Sequence, residues 1–186
     1  MSKFDTMDYI ICAAVLCYGI YLTVQNVRLF LANQKVRKEY LKKHKDGYTM
    51  VNQYLPYMIF FLGFSVIGII GIFVMEKNTK DELYVCFALA LMAIICAGMA
   101  LDSIVKRRAI VDDDGFVYEK AHYRFRSILS MDPMKSIIKN IDILTTERQH
   151  VVVSKKMGVY LHECFLEWKK RKKNKIIKKS GGGSYD

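Results

Sequence analysis

The chain has 186 residues, a net charge of +11 and 52% hydrophobic residues. This length accommodates about three membrane spans and one small soluble domain, and it excludes a second soluble domain. Four of the five cysteines fall inside apolar stretches. They therefore do not resemble the disulfide framework of a small secreted protein.

Three apolar stretches are each long enough to cross a bilayer as a helix, namely residues 9–31, 55–75 and 83–105. Asp5 and Asp8 precede the first stretch, and no basic leader or small-residue cleavage site accompanies it. We interpret it as a retained span rather than a signal peptide. Residues 1–105 are therefore predicted to form a transmembrane domain.

The distribution of Lys and Arg predicts the orientation. Segment 33–54 carries six basic residues against Glu39 and Asp46, and the chain after Val105 carries 19 basic against 10 acidic residues, a net charge of +9. The positive-inside rule places both segments in the cytoplasm and the N-terminus outside. We expect a multi-pass protein of a bacterial inner (cytoplasmic) membrane.

The first helix is expected to run past its span, through the basic loop, to Gly47, a natural residue for a helix C-terminus. We interpret this extension as solvated, with Val36, Tyr40 and Leu41 near the head groups as the alternative. Before the third span, residues 79–82 fit a capping box, which predicts that the second and third spans form an antiparallel hairpin.

Small residues on the third span recur at spacings of four and three, which places them on one helix face. They are Cys86, Ala90, Ala93, Ala97 and Ala100. In lipid, small residues let helix backbones approach closely, so this seam predicts a helix–helix contact. We expect the contact inside the three-helix bundle, and a dimer is the alternative.

Two ionisable residues, Arg28 and Asp102, lie inside the apolar limits and close to the cytoplasmic ends of their spans. Charges at this depth usually pair with each other or reach toward the interface. The sequence therefore predicts an intramembrane ion pair that fastens the first helix to the third.

After Lys106 the pattern changes to that of strands. A β-hairpin is predicted over residues 109–118, because the Asp-Gly step at 114–115 is typical of tight turns with φ > 0. Alternation at Tyr123 and Phe125 and apolar runs in 137–146 and 150–154 predict further strands. A closing amphipathic helix starts near Met157, with these residues on its apolar face: Leu161, Cys164, Phe165 and Trp168.

Segments 110–118 and 123–129, followed by the closing helix, resemble the bacterial pleckstrin-homology-like (PH-like) domains that follow membrane spans in small proteins of unknown function. The resemblance covers about residues 108–175. It implies a cytoplasmic PH-like sheet or barrel, residues 106–179, that serves as a scaffold for protein or membrane contact. The three carboxylates of Asp112–Asp114 would repel a phosphate and argue against phosphoinositide binding.

The closing helix ends in eight basic residues, Lys169, Lys170, Arg171, Lys172, Lys173, Lys175, Lys178 and Lys179. Near an anionic leaflet each can contribute up to about 1 kcal/mol of attraction, which predicts contact with anionic lipid head groups. A solvated helix end is the alternative, followed by an acidic protein or nucleic acid, of which nucleic acid is not our expectation. Residues 180–186 are expected to be a flexible tail.

The sequence predicts neither a catalytic constellation nor a metal or cofactor site. His162, Glu163 and Cys164 would need His150 or His122 to complete a zinc site, and we interpret them as surface and core residues. We therefore expect a non-enzymatic adaptor, regulator or immunity-type protein with an unidentified protein partner. The alternative is an oligomeric pore or transport subunit, a homo-oligomer built along the second and third spans.

Overall fold

The computed structural model describes residues 5–44, 47–76, 79–134 and 140–180, the last six as backbone only. The chain divides into two compact units. The first comprises Met1–Lys35 and Tyr54–Lys106, and the second comprises Val36–Gln53 and Arg107–Asp186. The predicted tail after Ser180 lies outside the described residues.

Three helices, α1 (Thr6–Lys43), α2 (Leu55–Val74) and α3 (Lys80–Lys106), are long and apolar enough to cross a membrane. This confirms the three apolar helices predicted from the sequence, and these are the features of a multi-pass membrane protein. Many of their large apolar side chains are exposed, as lipid contact would require, among them Ile59, Ile67 and Phe73. Orientation and the kind of membrane stay predictions.

Helices α2 and α3 pack closely at small residues. The Ser65 hydroxyl donates a hydrogen bond to the Ala93 carbonyl at 3.0 Å, and a Cβ on Gly68 would lie 2.9 Å from the Leu89 carbonyl oxygen. The predicted capping box is present, because the Thr79 amide donates to the Glu82 carboxylate at 2.8 Å. The Glu82 amide donates in return to the Thr79 hydroxyl at 3.3 Å.

Helix α1 contacts another part of α3 inside the first unit. The Thr23 hydroxyl donates to the Ile94 carbonyl at 3.0 Å, and a Cβ on Gly98 would lie 3.0 Å from that same hydroxyl. At the start of both helices, Asp8 forms an ion pair with Lys80 at 2.6 Å. Helix α3 is therefore the common partner of the other two helices.

The second unit contains two antiparallel sheets. The first has the strand order β1 (Thr49–Asn52), β2 (Arg108–Val111), β3 (Gly115–Tyr118), β4 (Ala121–Arg124). After a short 3-10 turn at Phe125–Ser127, the second has the order β5 (Ile128–Pro133), β6 (Ile141–Thr145), β7 (His150–Val153). The described strands thus form two sheets and no closed barrel. Residues 137–139, predicted to begin a strand, lie outside the described part of the chain.

The β2–β3 hairpin is confirmed, but its glycine has another role than predicted. Gly47 is the glycine with positive φ among the described residues, and Gly115 does not share that conformation. A Cβ on Gly115 would collide with the Tyr123 carbonyl of β4. Gly115 is required because the neighbouring strand approaches its backbone too closely for any side chain.

Helix α4 (Lys155–Ser180) covers the sheets with the apolar face predicted from its 3.6-residue spacing. Met157 and Leu161 are fully buried, and they join Phe116, Phe125 and Ile143 in one core. Full burial of one such side chain is worth about 1.5–3 kcal/mol. The hydrophobic effect therefore holds α4 to the sheets.

The end of α1 and strand β1 belong to this second unit, although the sequence placed residues 33–54 in a loop of the transmembrane domain. Tyr40 is only 6% exposed and packs with Ile110 and Val117, and β1 pairs with β2 along its whole length. The helix end is therefore not a solvated extension. Its apolar residues at 36, 40 and 41 form a narrow stripe that docks on the sheet.

Candidate functional site

An open groove of about 770 Å³ lies in the second unit. Its walls come from the end of α1, the β2–β3 turn, β4 with the 3-10 turn after it, and α4. It is lined by Val36, Glu39, Tyr40, Lys43, His44, Gly47, Asp112, Asp113, Asp114, His122, Arg124, Arg126 and Trp168.

The end of α1 packs on the two middle strands of the four-stranded sheet. Tyr40 covers Ile110 of β2 and Val117 of β3. On β4, His122 lies opposite Val117 in the ladder, and His122 and Arg124 alternate with Tyr123. Alternate residues of a strand point to opposite faces. His122 therefore lies on the same face as Val117, beside Tyr40, and Arg124 follows on that face at the end of β4.

The acidic turn forms one wall, and most of its carboxylates already have partners. Asp112 accepts hydrogen bonds from the Tyr40 hydroxyl and from the amides of Asp114 and Gly115, the last two at 2.9 and 2.6 Å. Asp113 is paired with Arg171 of α4. These contacts tie the turn to α1 and α4, and Arg171 balances the charge of Asp113.

Cationic side chains also lie in the groove. Lys43, Arg124 and Arg126 line it, and the described part of the chain provides no ion-pair partner for any of the three. Burial lowers the pKa of His122, and Arg124 lowers it further, against the opposite effect of Asp112. His122 is therefore mostly neutral at pH 7, and the charged groups of the lining are the lysine and the two arginines beside the carboxylates of Glu39 and Asp112–Asp114.

Aromatic rings lie at both ends of the groove. The Tyr40 ring stacks on His44 with centroids 4.3 Å apart, and it lies 5.0 Å from His122. At the other end, Trp168 stacks on Phe165 at 6.1 Å. The site therefore combines free cationic groups with flat apolar surfaces.

The predicted membrane-surface residues lie on α4, where Lys169, Lys170, Arg171, Lys172 and Lys173 are exposed. Two lysines rest on aromatic rings, Lys169 over Phe165 at 4.3 Å and Lys172 over Trp168 at 5.2 Å. Arg171 binds Asp113. The side chains of Lys175, Lys178 and Lys179 lie outside the described residues. Contact with anionic lipid stays a prediction.

The predicted pair of Arg28 and Asp102 is not brought together. Asp102 forms its ion pair with Lys106, one turn further along α3, at 2.9 Å, and Arg28 is exposed on α1. A lysine four residues away on the same helix reaches the carboxylate without a second helix. The contact seen for Asp102 therefore stays within α3.

The predicted seam faces the interior of the first unit at several positions. Cys86, Ala93 and Ala100 are buried, and Ala90 and Ala97 are half-buried. The Ala93 backbone accepts the Ser65 hydrogen bond from α2. Ala93 therefore belongs to a contact between helices of one chain.

The residues considered for zinc do not converge. His150 contacts Asp142 at 2.7 Å on the neighbouring strand, while His162 and Glu163 are exposed on α4. Within the described ranges, no group of three or more His, Cys, Asp or Glu residues could hold a metal ion.

The groove is not predicted from the sequence, although two signals for it exist. Val36 and Tyr40 are four residues apart in a basic helix, and His122, Arg124 and Arg126 recur at every second position. Each pattern alone is typical of a solvated surface. In the fold the helix end packs on β2 and β3, with the Tyr40 ring 5.0 Å from that of His122, and this makes the two patterns one site.

Comparison of the chain with protein-family models, with curated proteins and with solved structures found no match. The resemblance to PH-like domains therefore stays a prediction from the sequence.

Proposed function

We propose that this chain is a non-enzymatic, membrane-anchored binding protein whose soluble unit receives a segment of a partner protein in the groove. Its role would be that of an adaptor, a regulator or an immunity-type protein. The observation that carries the proposal is an open groove lined by charges of both signs, in which Lys43, Arg124 and Arg126 have no ion-pair partner among the described residues.

The shape and chemistry of the groove favour a protein segment over a small molecule. Its volume of about 770 Å³ falls within the range of small-molecule sites, but those sites are mostly enclosed and apolar. This groove is open, and charged side chains supply much of its lining. An extended polypeptide can meet charges along an open groove and keep the rest of its surface in water.

The chain connections support a role close to the membrane. A single residue, Arg107, separates the end of α3 from the start of β2, and α1 continues without a break from the first unit into the second. The exposed basic residues of α4 would add attraction to an anionic leaflet. We place the soluble unit on the cytoplasmic side, in accordance with the positive-inside rule.

A PH-like fold is part of this proposal. Two small antiparallel sheets followed by a C-terminal helix that packs on them are elements such a domain would contain. The acidic turn at Asp112–Asp114 sets this chain apart from the phosphoinositide-binding relatives. The proposed ligand is accordingly a protein.

The alternative of a pore along α2 and α3 has less support. A pore needs polar groups in its lining, and the Ser65 and Ser103 hydroxyls instead donate hydrogen bonds to the Ala93 and Ala100 carbonyls, at 3.0 and 2.7 Å. Their polar groups are thus used within the first unit.

Site-specific cross-linking tests the proposed function. A photo-reactive phenylalanine analogue replaces His122 in the full-length chain, and the same analogue replaces exposed Lys156, outside the groove, as the control. In membranes of the cells that make the protein, we expect a discrete protein adduct from position 122 and none of that mass from position 156. Identical adduct patterns, or no adduct from position 122, would contradict the proposal.

A further inference from the structure

Helix α1 carries a row of exposed polar side chains within its apolar span. They follow one another at spacings of three, four and three residues, which places them on one face of the helix. These residues, called the polar row below, are Tyr18, Tyr21, Gln25 and Arg28. The contact with α3 lies on the other side of α1, at Gly19 and Thr23. The polar row therefore faces away from the rest of the first unit.

The contact between α1 and α3 sets the depth of the polar row in the membrane. The Thr23 hydroxyl donates to the carbonyl of Ile94, the middle residue of the apolar stretch 83–105, at 3.0 Å. Tyr21 and Gln25 are each two positions from Thr23, which is about 3 Å along a helix axis. Since the hydrocarbon layer extends about 15 Å to either side of its middle, both side chains start well inside it. Arg28 lies nearer the end of the span, and its long side chain can reach the head groups.

The polar row has hydrogen-bonding capacity that the first unit does not use. The Gln25 amide nitrogen donates to the Tyr21 hydroxyl oxygen. Among the described residues, this leaves the Tyr21 hydroxyl hydrogen, the Gln25 carbonyl oxygen and the second Gln25 amide hydrogen without a partner. Water cannot supply partners at this depth, so polar groups that face hydrocarbon are unfavourable. A second helix over the polar row would relieve this, because polar side chains hydrogen-bond across helix contacts in membranes.

Small residues on the same face allow a second helix to approach closely. Ala14 and Cys17 precede Tyr21 by seven and four residues, and both are exposed. This spacing is that of the contact line between two supercoiled helices, and small side chains let helix backbones meet in lipid. Elsewhere on α1, exposed residues such as Val15 and Ile20 are large and apolar, as lipid contact would require.

We propose that α1 pairs in parallel with α1 of a second copy of this chain, and that Tyr21 and Gln25 hydrogen-bond to the same residues of that copy. A second copy fits because copies in one membrane share their orientation, so equivalent residues meet at equal depth. An amide group both donates and accepts, which makes two Gln25 side chains complementary to each other. The Arg28 side chains can turn toward the head groups, so their like charges need not meet. This contact uses neither α2, α3 nor the groove, and it goes beyond the proposed function.

Disulfide cross-linking in membranes tests the face that pairs. One full-length variant keeps Cys17 as its sole cysteine, with Ala at the other four positions, and the control carries Cys17→Ala and Ile20→Cys in the same background. Position 20 is also exposed but lies on another side of α1. In membranes of the cells that make the protein, mild oxidation should give about tenfold more dimer from position 17, because a disulfide needs Cα atoms within about 7 Å. Equal yields, no dimer from position 17, or an adduct of Cys17 with a different protein would overturn the inference.

Substitution of Gln25 tests the hydrogen bonds. Energy transfer between labelled full-length chains in phosphatidylcholine vesicles, followed as lipid dilutes the protein, measures dimer dissociation. Gln25→Leu should weaken the dimer by about three- to tenfold, and Gln25→Asn, which keeps the amide, should recover part of this loss. Ile20→Ala, at an exposed position outside the polar row, should change dissociation by less than about twofold. An unchanged dimer in Gln25→Leu, or monomers at every dilution of the unmodified chain, would mean that the polar row faces only lipid.

Thermal unfolding separates a loss of pairing from a loss of fold. In a detergent that keeps the chain monomeric, Gln25→Leu should unfold at the same temperature as the unmodified chain, because Gln25 is exposed and its contact with Tyr21 lies on the surface of α1. A clearly lower unfolding temperature would assign Gln25 to the fold of the single chain and would count against the dimer. Cross-linking from position 122 concerns only the groove, so its outcome and that of position 17 are independent.

Discussion

Helices α3 and α4 each bury one face. The contact of α3 with α2 is made by small residues, whereas the contact of α4 with the sheets is made by large ones. Where α3 meets α2, the contact lies at Gly68 and Ala93, whereas α4 meets its sheets through Leu161 and Phe165. In lipid, burying a large apolar side chain gains little, so close approach of backbones takes over. In water, the area removed from solvent dominates. One chain therefore contains two different kinds of core, and each should be destabilised by a different kind of substitution.

The largest effect is expected from a cavity in the second unit. Phe125→Ala should lower the free energy of unfolding by about 3–5 kcal/mol, because Phe125 is fully buried among aromatic and aliphatic side chains. Denaturant unfolding can be followed through Trp168, the one tryptophan of the chain, whose ring centre lies 6.2 Å from that of Phe125. Leu166→Ala, at a position that is 43% exposed, is the control and should change stability by less than about 0.5 kcal/mol. Equal losses in the two variants would mean that burial of large apolar side chains between α4 and the sheets does not dominate the stability of this unit.

In the first unit, the substitution expected to destabilise most is one that overpacks the contact between α2 and α3. Gly68→Leu should destabilise the α2–α3 contact by about 1–3 kcal/mol, because a side chain there meets the Leu89 carbonyl and Ala93. Gly63→Leu on the same helix has open space around it and should be nearly neutral. Thermal unfolding of both variants in the same detergent checks this, and a similar melting temperature for the two would remove the close-packing explanation.

A smaller effect is expected where α3 begins. Thr79→Ala removes the hydroxyl that caps the Glu82 amide and should cost about 1 kcal/mol. Thr79→Ser keeps the hydroxyl and should recover most of this loss. The two variants are compared in the thermal assay, and a full loss with Ser would indicate a role for the threonine methyl group instead.

The smallest effect concerns pH and belongs to the second unit. Because the pKa of His122 is lowered in the folded state, the unfolded chain binds more protons than the folded one below about pH 6.5. Stability should therefore fall slightly as the pH drops from 7 through that window, and His122→Gln should flatten this dependence. A steeper dependence in the glutamine variant would contradict the direction of the shift.

The sequence predicts most of the helices and strands because their signals are local. Hydropathy defines α1, α2 and α3, the capping box defines where α3 starts, and the spacing of Leu161 and Phe165 defines the buried face of α4. Strand β1 carries no comparable signal, since four residues at 49–52 have neither clear alternation nor a turn on both sides. Its pairing partner lies about 60 residues away in the chain, with Thr49 opposite Val111.

The site could be predicted only in its parts. The cations at Arg124 and Arg126 and the acidic turn are visible in the sequence, but the arginines received no role and the turn was interpreted as part of a hairpin that would repel a phosphate. Similarly, Asp102 was predicted to form an ion pair with Arg28 because both lie near the cytoplasmic ends of their spans, while the structure pairs Asp102 with Lys106. Side-chain partners depend on reach and competition between neighbours, which position along the chain does not determine.

The pairing of β1 with β2 also constrains how the protein is made. The two strands are separated in the chain by α2 and α3, so both must emerge on one side of the bilayer before their ladder can close. If only one of the two helices entered the bilayer, β1 and β2 would lie on opposite sides of it and could not pair. The four-stranded sheet therefore cannot form until α2 and α3 have both inserted, because only then do β1 and β2 lie on one side of the bilayer.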